Sequence, residues 1–120
     1  MQPSYSFSRK EKLHLQHDFK RVFKTGRKLA HPAIFIYIGR RPDELETRRL
    51  GLVTSRKLGS AVERNRLKRR LREIFRLSKH DLSPAIDVIF VPRPGVCGLN
   101  YEALRSAVLG LFAKAGALIK

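Results

Sequence analysis

Residues 61 to 77 carry seven basic side chains (Arg64, Arg66, Lys68, Arg69, Arg70, Arg72 and Arg76) against two acidic ones, Glu63 and Glu73. The same segment is threaded with Leu67, Leu71, Ile74 and Phe75. At about 100° per residue, with Leu67 at zero, these apolar side chains fall between about −20° and 80°. Lys68, Arg72, Asn65, Arg76, Arg69, Arg66 and Arg70 take the arc from about 100° to 300°. A helix so divided must seat its apolar edge on a sheet and turn its cations outward. Ser60 and Glu63 have capping-box spacing, which predicts a start just after "KLG" and a run to about Ser78. Like charges a turn apart repel by a few tenths of a kcal/mol per pair on an isolated helix. Something outside the chain must neutralise them.

A solvated face is the usual explanation of a charged helix, but such faces mix their signs and this one is nearly single-signed. A nuclear-import signal is normally an unstructured run with no apolar stripe. The guanidinium fork suits bidentate phosphate contacts, and Asn65 adds a neutral donor and acceptor for a sugar or base edge. Arg56 and Lys57 extend the charge onto the connection just upstream.

The whole chain shares the bias: 26 Lys and Arg against 10 Asp and Glu, a net charge of +16. Such a field attracts polyanions and releases condensed counterions from phosphate. Membrane surfaces are also anionic. No apolar run approaches the roughly 18 residues of a spanning helix, and the N-terminus lacks a secretory signal's apolar segment. At 120 residues and 42% hydrophobic, the chain has the size and composition of one globular domain over 1–120. Cys97 stands alone, which excludes an internal disulfide and a thiolate zinc site and fits a reducing, cytoplasmic setting.

Residues 1 to 12 read as a loose basic tail. Asp18 is the expected N-cap of a helix carrying Phe19, Val22 and Phe23 and closed by Gly26. "HPAIFIYIGRRP" reads as a strand, with Ile34, Ile36 and Ile38 on one face and Phe35 and Tyr37 on the other. After a charged turn, "LGLVTS" (50–55) is a second strand in hairpin position. A third strand is expected at 86–91, before Pro92 and Pro94. From Asn100, Leu104, Ala107, Val108, Leu111, Phe112 and Ala115 form one helical stripe. The order α-β-β-α-β-α describes a one-domain α-β sandwich of the α+β or α/β type.

Phe35 and Tyr37, opposite the isoleucines, need cover, and Phe19 and Phe23 are the natural neighbours. A minor core is the plain reading of the four rings. The functional one is an aromatic cleft on which single-stranded nucleotides stack, flanked by Lys20, Arg21, Lys24, Arg27 and Lys28. His14 and His17, three apart and just before Asp18, suggest a metal pair or acid-base chemistry, but metal sites need three or four ligands and no further His, Cys or carboxylate cluster has a supporting spacing. Asp43, Glu44 and Glu46 crowd one turn, where charge serves solubility. There is no phosphate-binding loop and no nucleophile elbow, and no complete catalytic apparatus.

"SRKLGSAVERNRLKRRLRE" (55–73) resembles the signature of the bacterial ribonuclease P protein subunit, with Arg-Asn-Arg at its core. "DFKRVFKTGRK" resembles the family's aromatic N-terminal helix, "FIYI" and "LGLVTS" its first two strands, and "DVIFVPRP" the strand after the basic helix. Arg56 stands where the family commonly has Lys. The resemblance covers roughly residues 8 to 115 and implies an α+β fold of αβββαβα order, with four strands and a left-handed βαβ crossover, against the usual rule. A fourth strand must then come from a segment read as loop. It further implies a subunit that binds a catalytic RNA, which removes the 5′ leader of precursor tRNA using Mg²⁺ held mainly by that RNA, while the protein has no catalytic residue or metal of its own. Arg56, Lys57, Arg64, Asn65, Arg66, Lys68, Arg69 and Arg72 would face the RNA subunit, and Phe19, Phe23, Phe35 and Tyr37 the leader. The free protein is expected to be a monomer, without membrane or DNA partners. A ribosome-associated or other structural RNA-binding protein fits the charge and size equally. A DNA-binding protein lacks a helix-turn-helix partner, and a stand-alone nuclease lacks its acid-base or metal groups.

Overall fold

The computed structural model describes residues 11–13, 15–41 and 47–116. The elements run α1 (Gln16–Thr25), β1 (Arg27–His31), β2 (Ile34–Arg40), β3 (Arg49–Leu52), α2 (Ala61–Ser78), β4 (Ile86–Pro92) and α3 (Tyr101–Lys114). The αβββαβα order expected from the resemblance is the observed one. A four-stranded mixed sheet has the order β1-β2-β4-β3. β1 and β4 run antiparallel to β2, and β3 runs parallel to β4.

The fourth strand is β1. Only Leu29 among its five residues is buried, so it shows none of the apolar alternation that marks a strand. Lys and Arg on such an edge discourage further pairing. The expected strand from His31 is therefore two elements: His31 ends β1, and Pro32–Ala33 turn the chain so that His31 faces Ile34. The Ala33 N–H donates to His31 Nδ1 at 3.0 Å inside that turn. The second correction concerns β3, which does not form a hairpin with β2, because β4 lies between them. α2 thus becomes the crossover between parallel neighbours.

One face of the sheet holds the main core. Ile34 and Ile36 of β2 and Val88 and Phe90 of β4 meet Leu71, Ile74 and Phe75 of α2 and Leu104, Val108, Leu111 and Phe112 of α3. The predicted stripes of both helices are those buried. The Ser60 side chain accepts from the Glu63 N–H at 3.2 Å while the Glu63 carboxylate accepts from Ser60 N–H, so the capping box is real. Asn100 caps α3 by accepting from the Ala103 N–H at 2.8 Å.

The opposite face is covered by α1, and here the sequence reading needs correction. Asp18 is not the N-cap; the helix starts at Gln16 behind Leu15, which makes no side-chain cap. Asp18 lies within the first turn and is buried, facing Arg21 at 3.3 Å and Arg49 at 3.6 Å. Beside it, the wholly buried Asp87 of β4 accepts from Arg49 Nε at 2.6 Å and Nη2 at 2.8 Å, and from Arg21 Nη2. Four charged residues from α1, β3 and β4 form one network. Apolar burial on this face is small by comparison, with Leu13, Val22 and Ile89 buried and Phe19, Tyr37 and Val91 packed around them.

Two glycines allow close approach. A Cβ on Gly26, at the end of α1, would lie 2.5 Å from the Val22 carbonyl and 2.9 Å from that of Ile38. Gly26 is extended (φ −77°), so space and not backbone freedom fixes it. A Cβ on Gly51 would meet the Phe19 ring at 2.7 Å. Of the expected loose tail, residues 1–10 lie outside the described residues. Glu11 pairs with Lys79 at 2.7 Å, and Leu13 N–H donates to the Leu50 carbonyl at 2.9 Å along the free edge of β3.

Removing one partner of a buried ion network leaves a charge without compensation, a loss of about 3–5 kcal/mol. Asp87→Ala is therefore expected to lower unfolding free energy by about that amount, measured by urea titration with the slope unchanged. A loss below about 1 kcal/mol would show that water already screens the network.

Candidate nucleic-acid interface

The outward arc of α2 is open. Asn65, Arg66, Arg69 and Arg72 are exposed, while Arg64, Lys68 and Arg70 are half-buried. Among the described residues, Arg66, Lys68, Arg69, Arg70 and Arg72 meet no carboxylate within ion-pair distance. Arg64 is tied back to the Gly59 carbonyl at 2.9 Å, which stiffens the approach to the helix. Arg76 is engaged differently. Its Nε and Nη2 donate to Glu73 at 3.1 and 2.5 Å, and that bonding holds the Glu73 carboxyl below the ordinary carboxylate range. Arg56 and Lys57 sit exposed on a 3-10 turn, Arg56–Leu58, anchored by the buried Leu58. Capping box, apolar stripe and buried leucine together fix the backbone under a row of cations. That arrangement has the chemistry that phosphate contact requires.

Phe19, Phe23 and Tyr37 come together between α1 and the face of β2, and Phe35 stands on the same face of that strand. Phe23, exposed at 40%, meets Tyr37 edge-on at 4.8 Å, and its ring centroid is 6.4 Å from that of Phe19. Phe19 and Tyr37 flank the minor core, as the plain reading of these rings expects. Lys28 Nζ lies 4.2 Å from the centre of the Phe35 ring and 6.0 Å from that of Tyr37. Arg93 covers Phe35 at 4.8 Å.

The flanking cations divide otherwise than the sequence suggested. Arg21 is turned inward to Asp18 and Asp87, and Arg27 donates to the Ala115 carbonyl at 3.1 Å. Lys20, Lys24 and Lys28 remain exposed. Arg93 escaped the sequence reading. Only the β2–β4 register, with Phe35 opposite Val91, carries it across to Phe35.

The two surfaces meet at one cavity. A cavity of about 220 Å³ at the β3 edge is lined by Phe19, Lys12, Leu13, Leu50, Leu52, Lys68 and Arg72. Phe19 of the aromatic tract thus shares a wall with Lys68 and Arg72 of the basic helix.

Among the described residues no three of His, Cys, Asp or Glu gather as a metal set. His17 and Asp18 are described and His14 is not; Asp43, Glu44 and Glu46 also lie outside the described residues. No helix among the described residues is long and apolar enough to cross a membrane.

Comparison with known proteins follows the same lines. The model of the Ribonuclease P family matches residues 7–116. The ribonuclease P protein component of Dictyoglomus thermophilum is 36% identical over 116 residues, 95% of this chain and 95% of that one. The solved RNase P protein of Staphylococcus aureus superimposes with a TM-score of 0.82 at 28% identity, covering 90% of this chain and 97% of the other. That of Thermotoga maritima gives a TM-score of 0.77 at 31% identity, covering 87% and 96%. With sequence, fold and surface in agreement, the chain belongs to the ribonuclease P protein family, the protein subunit of the RNA–protein enzyme that processes the 5′ ends of tRNA.

Proposed function

We propose that this chain holds two RNAs on one unbroken surface. α2, with Arg56 and Lys57, takes the backbone of the RNA subunit. The tract of Phe19, Phe23, Phe35 and Tyr37 takes the single-stranded 5′ leader of precursor tRNA. The observation that carries this reading is the shared cavity at the β3 edge, where Phe19 meets Lys68 and Arg72. A leader lying on the aromatic rings is thereby delivered to the helix that docks the ribozyme.

Each group has a physical task. Arg66, Arg69 and Arg72 neutralise phosphates and release counterions. Asn65 offers a neutral hydrogen bond beside them. The rings stack on bases without reading them, so leaders of many sequences are accepted. Lys28 and Arg93 sit above Phe35, where they can pair with the leader's phosphates. The protein contributes binding and charge neutralisation, and divalent metal binding is left to the RNA.

Two measurements test the division. Phe23→Ala, and Phe19→Ala with Phe23→Ala, should weaken holoenzyme binding of precursor tRNA by about 1–3 kcal/mol for each base unstacked. Affinity for mature tRNA, which has no leader, should stay the same. Equal loss on both ligands would defeat the cleft assignment. Arg66→Glu with Arg69→Glu should instead weaken assembly with ribonuclease P RNA and flatten its salt dependence, by about one slope unit for each phosphate left unpaired. Unaltered assembly at physiological salt would remove α2 from the interface.

A further inference from the structure

A second pocket opens beside α2, away from the aromatic tract. It has a volume of about 120 Å³ and lies between the first three turns of the helix and the 3-10 turn Pro94–Gly98. Its apolar walls are Leu58, Leu67, Val96 and Leu99, and Arg66, Arg70, Glu63 and Cys97 complete the lining. We propose that it receives one unpaired base of the RNA subunit, with the attached phosphate held by Arg66 and Arg70. This inference rests on the assignment of α2 to the RNA subunit.

The size suits such an occupant: a dry cavity of about 150 Å³ takes up benzene, so about 120 Å³ with an open mouth accommodates one six-membered heteroaromatic ring. The walls are fixed in advance. Leu58 and Val96 are buried. Gly95 packs so closely on the β1–β2 turn that a Cβ would lie 2.8 Å from the Pro32 carbonyl. The Cys97 thiol is 3.5 Å from the Leu58 carbonyl, across the two turns. Glu63 is held by the capping box through Oε1, which leaves Oε2 as an acceptor for an exocyclic amino group. A ready-made slot lowers the ordering cost of binding.

The rim selects the partner. Arg66 and Arg70 meet no carboxylate among the described residues, and they stand one helical turn apart on the face that carries the other free cations. An apolar slot edged by two such guanidiniums fits a planar ring joined to a phosphate. It fits neither a purely apolar side chain nor a bare anion.

The chain's single cysteine supplies the test. N-ethylmaleimide on Cys97 places an uncharged group over the pocket and removes no cation. The capped protein is expected to assemble with ribonuclease P RNA about tenfold more weakly, with an unchanged salt slope. Base-specific chemical probing of the RNA should show an unpaired nucleotide protected by the untreated protein and exposed with the capped one. Arg70→Ala should expose the same nucleotide and lower the salt slope by about one. Cys97→Ser treated with the same reagent controls for reaction elsewhere, and thermal melting checks the fold. If the cap itself unfolds the protein, the Arg70→Ala footprint decides. The same footprint with native protein, capped protein and Arg70→Ala overturns the pocket. Arg69→Glu lies outside it and separates the two readings. Weakened assembly with Arg69→Glu but not with the cap refutes the pocket and leaves the α2 interface standing. No effect from either refutes both.

Discussion

A carboxylate with no solvent exposure, Asp87 in the centre of the sheet, sets the geometry of one whole face. An isolated charge there would be prohibitive. It is tolerated because Arg21 reaches down from α1 and Arg49 across from β3, with Asp18 completing the set. The apolar contacts under α1 are few and would permit the helix to slide. The ion network does not, since each guanidinium must meet a fixed oxygen. It therefore acts more as a register device than as a source of stability, the role best attested for buried ion pairs. Its one flaw is visible: Arg21 Nε is buried without a hydrogen-bond partner.

That register is what assembles the interface. With α1 fixed, Phe19 lies over Gly51 and Phe23 meets Tyr37 edge-on. The insertion of β4 between β2 and β3 does the rest. It pushes β3 to the edge of the sheet, with α1 over one face and α2 over the other. Both helices thus come to the same rim. Had β3 paired with β2, as in a hairpin, aromatic tract and basic helix would not share that rim. Topology, and not any single residue, joins the two binding surfaces.

The main-core side of the molecule was legible because its signals are local. The α2 stripe, the Ser60–Glu63 box, the Asn100 cap and the alternation in β2 each depend on spacing within a few residues. The aromatic cluster was legible for the same reason, once two faces of one strand had been separated. What escaped reading is non-local. Leu29 is the single buried residue of β1, so that strand exists only through its pairing with β2. Asp18 looks like an N-cap in sequence, and only contact with β3 and β4 reveals it as part of a buried network. Arg93 and Lys28 meet over Phe35 through strand register, and Arg21 is withdrawn from the surface by a residue 66 positions away. The pocket beside Cys97 draws on three separate segments, and no motif marks it.

The placement of the acids explains why α2 needs a partner. Asp18 and Asp87 sit in the buried network, Glu11 holds Lys79, Glu63 closes the capping box and Glu73 holds Arg76. Glu102 lies in the first turn of α3, where the helix dipole favours a negative charge. Each of these six solves a local folding problem, and among the described residues no carboxylate, Asp81 included, is within ion-pair distance of Arg66, Lys68, Arg69, Arg70 or Arg72. The helix is pinned by Leu71, Ile74 and Phe75 against the mutual repulsion of its own outer face. A polyanion bound there relieves that repulsion in the folded state, where the cations are held close together. Ligands that favour the folded chain stabilise it by mass action, so on the proposed docking of RNA at α2 folding and assembly are coupled through the same guanidinium groups. On that proposal the charge density that strains the isolated helix also supplies the affinity, because every phosphate met releases counterions as well.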